Sequence, residues 1–298
     1  MFQANHHRNS VGQPLMATIG VVDIEVAQAA YCEMLEYQCV SDTTVSADYA
    51  ALWGDAHLIG RALRILQPKS GVPVFIRLIE ADVQPDRGCF SSINPWFAIE
   101  LCVQDSARLY EQLLGNGYFE PFAPPAKLSF TDQIFPFQCR GANGEILYLN
   151  ETRGNLPDVD LPLATSFVDH IFIAILSASS LEKTTTYYKD LLNLGLQETH
   201  EFPYKTINRV FDLPLDTMHK LNTIGTGRNV FFEIDQTPAI ARKSLTSKGV
   251  HRGICCMSFR KVADRVAMHE PCRDAPYNGA EISQTFGLDG ERIELVSF

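Results

Sequence analysis

The feature that most constrains this chain is an internal repeat, because a repeated segment must fold as a repeated structural unit. VVDIEVAQAAYCEMLEY runs from a short apolar strand into a helix around Tyr31, and SSLEKTTTYYKDLLNL repeats the pattern around Tyr188 in the second half. The closing segments match as well. Asn143-Gly144-Glu145 leads into Ile146-Leu147-Tyr148-Leu149, and Asp289-Gly290-Glu291 leads into Arg292-Ile293-Glu294-Leu295, each a glycine turn followed by a last strand. Two further strand-to-helix passages lie between them. PWFAIELCV enters QDSARLYEQLLGNG, where Gly115 and Gly117 supply a stop, and GICCMSF enters RKVADRVAMHE. Four units result, at roughly 16–82, 94–151, 168–235 and 251–298, each reading strand, helix, then about three strands. The Pro- and Asp-rich stretch RGNLPDVDLPLATS lacks apolar periodicity. It divides the chain into domains at 1–151 and 167–298, with a linker at 152–166.

Composition narrows the partners. A chain of 298 residues can bury two cores, and 46% hydrophobic with 20% charged residues is ordinary for a soluble globular protein. The net charge of -10, with no basic run to offset it, argues against nucleic acid and anionic lipid. No stretch approaches the roughly 18 continuous apolar residues of a membrane span, and MFQANHHRNSVGQP has no apolar core of a secretory signal. The expected partner is a small, largely uncharged molecule, and a homodimer is the one protein partner left open. Eight cysteines are scattered along the chain and read as free thiols of a reducing cytoplasm. His6 and His7 belong to a polar tail.

A divalent ion bound from a sheet needs ligands of one parity on separate strands. Four residues offer that pattern: His170 in VDHIFIAIL, Glu233 in NVFFEID, His251 in GVHRGICCMSF and Glu294 in ERIELVSF. In a regular strand His170 shares its face with Phe172 and Ala174, while Ile171, Ile173 and Ile175 pack under the helix. A carboxylate that interrupts an apolar strand must be solvated, paired or coordinated on the other face. Each His opens a unit and each Glu closes one. His251 points inward if Ile254 and Cys256 are the helix-packing residues, and outward if Met257 and Phe259 are. Two imidazoles and two carboxylates suit Zn, Ni, Mn or Fe(II), with one or two positions left for substrate or water. Taken singly, a strand His or Glu also reads as an ordinary hydrogen-bonded or water-facing residue.

On these residues the chain resembles the vicinal oxygen chelate superfamily of glyoxalase I, extradiol dioxygenases and bleomycin-resistance proteins. The resemblance rests on Val168-Asp169-His170-Ile171, the helix with Tyr187-Tyr188-Lys189-Asp190-Leu191-Leu192 and the closing Asp289-Gly290-Glu291-Arg292-Ile293-Glu294-Leu295. It implies an α+β fold of four βαβββ units that pair into two open half-barrels of mixed sheet, with helices outside. It also implies a divalent metal held by His170, Glu233, His251 and Glu294. At the matching places the first domain has Met16, Arg77, Tyr148 and Trp96 or Ala98, so that domain is expected to be degenerate and metal-free. A second substrate site around Arg77 and Tyr148 is the alternative.

The chemistry implied is binding of neighbouring substrate oxygens by a Lewis-acid metal that stabilises an enolate. Glu294 is then the expected proton acceptor, with Glu233 second. Phe172, Phe231, Met257 and Phe286 are the expected pocket walls, with His219 reaching in. Three functions follow: a lyase or isomerase of glyoxalase type, an Fe(II) dioxygenase using His170, His251 and Glu294 as a facial triad, and a protein that only binds a small molecule.

Overall fold

The computed structural model describes residues 12–82, 95–128, 130–236, 249–261 and 272–297. His6, His7 and the helix expected from RKVADRVAMHE, from residue 262 onward, lie outside these residues. Unit one comprises β1 (Pro14–Val21), α1 (Ile24–Ala29, continued by a π-turn), β2 (Tyr37–Thr44), α2 (Ala47–Leu52), β3 (Ala62–Pro68) and β4 (Phe75–Glu80). Unit two comprises β5 (Trp96–Val103), α3 (Ser106–Leu113), β6 (Phe119–Pro121), β7 (Ile134–Gly141) and β8 (Ile146–Thr152). Unit three comprises β9 (Val168–Ala178), α4 (Leu181–Leu192), β10 (Leu196–Pro203), α5 (Lys205–Val210), β11 (Met218–Thr226) and β12 (Asn229–Gln236). Unit four contributes β13 (Gly253–Arg260), β14 (Glu281–Phe286) and β15 (Arg292–Ser297).

Local chemistry sets the helix boundaries. The Asp23 carboxylate accepts from the Glu25 and Val26 amides, and Asp105 accepts from Arg108, which satisfies amides that open α1 and α3. Asn193 ends α4 in the left-handed conformation at φ 54°. α2 and α5, each six residues between the second and third strands of their units, are additions the periodicity did not reveal.

Within every unit the opening and closing strands pair in parallel: β1 with β4, β5 with β8, β9 with β12 and β13 with β15. The units join through antiparallel opening strands, β1 with β13 and β5 with β9. The first sheet therefore runs β14-β15-β13-β1-β4-β3-β2, and the second runs β10-β11-β12-β9-β5-β8-β7-β6. This corrects the expected division at 1–151 and 167–298. Units one and four share a sheet, and units two and three share the other. Both arrangements bury the same apolar opening strands, so hydrophobic pattern alone does not select between them.

One core cluster draws on both sheets and on α1, α3 and α4, with Ile19, Leu78, Leu101, Ala174, Tyr188 and Phe259 among its fully buried members. Phe232 stacks on Phe259 at 4.5 Å, and the Trp96 indole donates to the Arg292 carbonyl at 2.9 Å, tying the sheets together. Each sheet carries a second cluster on its other face. The first sheet has Met16, Tyr49, Trp53, Phe75 and Tyr277 there; the second has Phe97, Ala98, Tyr148, Phe172 and Ile173. Those two faces are where functional side chains can gather. The described cysteines are all free, and no described helix is long and apolar enough to cross a membrane.

Candidate functional site

The centre of the first sheet holds an ion pair. In strand register Thr18 of β1 lies beside Arg77 of β4, and Ser258 of β13 lies beside Glu294 of β15. Arg77 Nη2 donates to Glu294 Oε1 at 2.9 Å, and Nε and Nη2 also donate to Thr18 Oγ1 at 3.0 and 2.7 Å. The same Oε1 accepts from Trp53 Nε1 at 2.6 Å and from the Tyr49 hydroxyl at 3.3 Å, while Oε2 accepts from Ser258 and Tyr277 hydroxyls, each at 2.6 Å. The guanidinium carbon lies 4.7, 5.4 and 5.7 Å from the ring centres of Tyr49, Trp53 and Tyr277, close enough for cation–π attraction. Tyr49 lies in α2 and Trp53 caps it, so α2 closes this face. Arg77 is 1% exposed and Glu294 0%. Burial alone would raise the Glu294 carboxyl, but Arg77 and the hydroxyl and indole donors outweigh it and hold it below the ordinary carboxylate range. With five donors on its two oxygens, Glu294 has no free lone pair for a metal and no basicity for proton abstraction. Its expected roles as ligand and proton acceptor are not supported.

The second sheet has the same frame with different occupants. Glu100 of β5 lies beside Tyr148 of β8, and Glu233 of β12 beside Ile175 of β9. Register thus makes Glu233 the counterpart of Glu294, Tyr148 that of Arg77, Glu100 that of Thr18 and Ile175 that of Ser258. The covering helix here is α5. Its N-terminal cap, Tyr204, donates its hydroxyl to Glu233 Oε1 at 2.7 Å and meets the Tyr148 ring edge-on at 6.3 Å. Glu233 and Tyr204 keep contact with solvent, so this face is more open than the first.

No cationic side chain among the described residues bonds Glu100, Glu233 or Asp235. Burial pushes Glu233 up to about 7, with the Tyr204 hydroxyl pulling the other way. Glu100 rises well above its ordinary value through burial, then through the charge of Glu233. Asp235, two residues along β12 and 0% exposed, is likewise pushed up by burial and by Glu233, and neither of its carboxylate oxygens has a hydrogen-bond partner.

The four expected metal ligands do not come together. His170 and Glu233 are on the second sheet, whereas His251 and Glu294 are on the first. His170 sits at the start of β9, five residues before the Ile175 that faces Glu233. A bulge between Ile171 and Ile173 reverses the expected parity: Ile173 and Ile175 join the cluster on the open face, while Ala174 and Leu176 join the shared core. His251 precedes β13, with its carbonyl against Gly20, seven residues from the Ser258 that faces Glu294. A register shift at Cys255 puts Ile254 together with Met257 and Phe259 in the shared core, so neither simple phase expected for that strand holds. The facial triad of His170, His251 and Glu294 is absent for the same reasons.

His170 has other partners. Its Nδ1 lies 3.0 Å from Asp169 Oδ1 and 3.5 Å from Cys102 Sγ, and the donor atoms of these three buried residues fall within 4.8 Å of one another. Asp169 Oδ1 also accepts from Ser70 at 2.6 Å, and Oδ2 accepts from the Thr165 amide and hydroxyl at 2.7 and 2.9 Å. Burial alone would raise Asp169, but the His170 contact, Ser70 and Thr165 together hold it well below the ordinary range.

Among the described residues the donor group of the second sheet that converges closely enough for a metal ion is Cys102, Asp169 and His170, whereas the frame around Glu233 does not offer the mixed nitrogen and oxygen set expected for Zn, Ni, Mn or Fe(II). The frame positions carry two carboxylates, a phenol and an alkyl group, and Glu100, Glu233 and Asp235 do not converge as a three-donor group. Of the expected pocket walls, Phe172 is on this open face. Phe231 and Met257 lie in the shared core, Phe286 is 37% exposed on β14, and His219 bonds Asn208 at 2.7 Å on β11. Arg77 and Tyr148 lie on different sheets and make no joint site. Glu100, Tyr204 and Asp235 were missed. The criterion that singled out Glu233, a carboxylate interrupting an apolar strand, also applies to Glu100 in WFAIELCV.

No protein-family model matches the sequence, and no curated protein does. Solved structures do match its fold. Glyoxalase I from Zea mays superposes with a TM-score of 0.60 at 13% identity, over 96% of this chain and 92% of that one. A single-residue variant of the same protein gives 0.62 at 12% identity, over 97% and 94%. A Bacillus subtilis protein carrying a dioxygenase assignment gives 0.61 at 11% identity, over 97% and 86%. With its four repeated units, parallel opening and closing strands and full-length superposition, the chain has the vicinal oxygen chelate fold in its two-sheet, glyoxalase I-like form.

Proposed function

We propose that the chain is an enzyme of lyase or isomerase type that works on the open face of the second sheet, where Glu233 exchanges a proton with a C–H beside a substrate carbonyl. The observation that carries this reading is Glu233, the register counterpart of Glu294, set near the buried Glu100 with no cation among the described residues to neutralise it as Arg77 neutralises Glu294. A carboxyl pushed up to about 7 is matched to proton transfer near neutral pH. Glu100 is raised by burial and then by Glu233, which favours its protonated form, and in that form it can donate a hydrogen bond to the oxygen on which negative charge develops. Tyr204 fixes Glu233 through its 2.7 Å bond, and Phe172 and Ile173 offer an apolar wall. The likeness to glyoxalase I agrees with an enzyme of this kind.

Solvent-deuterium exchange into a panel of small 2-hydroxy and 2-oxo carbonyl compounds, followed by proton NMR, tests it. The exchange rate should rise with pH through about 7 as Glu233 ionises, and Glu233→Gln should lower it by roughly 10²–10⁴-fold. Equal exchange by the wild type and Glu233→Gln would remove Glu233 from the reaction.

A further inference from the structure

The two sheets place their frame residues in the same register, and the first contains its own cation. There the guanidinium of Arg77 neutralises Glu294 and lies against the rings of Tyr49, Trp53 and Tyr277. At the corresponding place the second sheet has Tyr148, together with Tyr204, Glu100, Glu233 and Asp235. It keeps the acids and the aromatic rings but has no cation among the described residues. The acidic group alone would be a weak indication. Asp235 adds an independent one, because both its oxygens are shielded from water and neither has a hydrogen-bond partner. A carboxylate so placed is costly unless something positive or hydrogen-bonding stands opposite it.

We infer that the second sheet binds small carbonyl compounds carrying an organic cation, an ammonium or guanidinium group, which stands against Asp235 and the neighbouring rings in the way that Arg77 stands against Glu294 and its rings in the first sheet. This deepens the proposed function and rests on its choice of face. Glu233 and Asp235 are two residues apart on one face of β12, so their side chains leave the strand about 7 Å apart. A substrate whose cation meets Asp235 while its acidic C–H meets Glu233 has the charged nitrogen two to four bonds from the reacting carbon. It is a small amino-carbonyl compound or its guanidino equivalent, not the uncharged ligand that composition suggested. Burial, then Glu233, raise the Asp235 carboxyl and favour its protonated form while the site is empty. Arrival of the cation lets Asp235 ionise, so binding releases a proton.

Isothermal titration of the full chain at pH 7 tests this with 2-phenylethylammonium, its neutral analogue 2-phenylethanol, and Mn(II). Two buffers of different ionisation enthalpy report the proton count. The ammonium probe should bind at least tenfold tighter than the alcohol, release a proton, and lose at least tenfold in affinity in Asp235→Asn. Thermal unfolding shows whether that variant is folded, and Asp235→Leu serves if it is not. Equal binding of ammonium and alcohol, unchanged affinity in a folded Asp235 variant, or binding of Mn(II) alone would each overturn the inference. Ammonium binding with no deuterium exchange from any carbonyl compound would instead sink the proposed reaction and leave the binding site standing.

Discussion

Glu233 and Glu294 hold equivalent places in strand register yet carry opposite chemistry, and the difference comes from their neighbours. Glu294 faces a guanidinium and four uncharged donors, whereas Glu233 faces a second acid and one phenol. Removing one partner of a buried ion pair strands the other, so Arg77→Met should destabilise by about 3–5 kcal/mol in denaturant unfolding. The double variant Arg77→Met with Glu294→Leu should recover part of that loss, because no buried charge is left unpaired. The Glu294 carboxyl is held down in the folded state, so its contribution is present above the ordinary carboxylate range and is lost as pH falls through the lowered value. Both glutamates were legible in sequence as acids interrupting apolar strands. Their placement on different sheets was not, because every opening strand is apolar, and β9, buried on both faces, gives no sign of its bulge either.

At the level of elements, the landmarks that announced the repeat bond to one another. The Tyr31 hydroxyl, just past α1, donates to Glu145 at 3.2 Å, and the Tyr188 hydroxyl, in α4, donates to Glu291 at 2.7 Å. Each thereby joins a helix of one unit to the closing turn of the next. Each glutamate also accepts an amide of its own turn, from Asn143 at 3.0 Å and from Asp289 at 2.9 Å. The glycines that begin these turns have no room for a side chain: a Cβ on Gly141 would lie 2.2 Å from Glu145, and one on Gly287 would lie 1.8 Å from Glu291. Gly141→Ala and Gly287→Ala should each cost about 1–3 kcal/mol by thermal or chemical unfolding.

Burial pushes both turn carboxyls up to about 7 from 4.5. The folded chain therefore holds more protons than the unfolded chain between those values, and these two groups lose stability as pH rises through about 7. Glu145→Gln with Glu291→Gln should flatten that part of the profile of melting temperature against pH. Helices α1, α3 and α4 could be read from caps and period. The six-residue α2 and α5 could not, because they span less than two turns and show no period.

For the whole molecule, the consequential feature is which units share a sheet. Four units could be counted in the sequence, but their pairing could not be read, since every opening strand is apolar and each offers the same edge. Residues 1–151 alone would keep β1 but lack the β13 that lies along it, with Pro14 opposite Phe259. Each half expressed separately should be aggregation-prone, and mixing the halves should restore a 1:1 complex that sizes as the intact chain. Stable monomeric folding of either half would contradict this.

The same pairing orders events during synthesis. The second sheet is built from strands between Trp96 and Gln236 and can close while the remaining chain is still being made. The strands of unit one, made earlier, must wait until Gly253–Arg260 have left the ribosome before β13 arrives. The face that carries Glu100, Glu233 and Asp235 is therefore assembled on a nascent chain whose earliest strands are still looking for a neighbour.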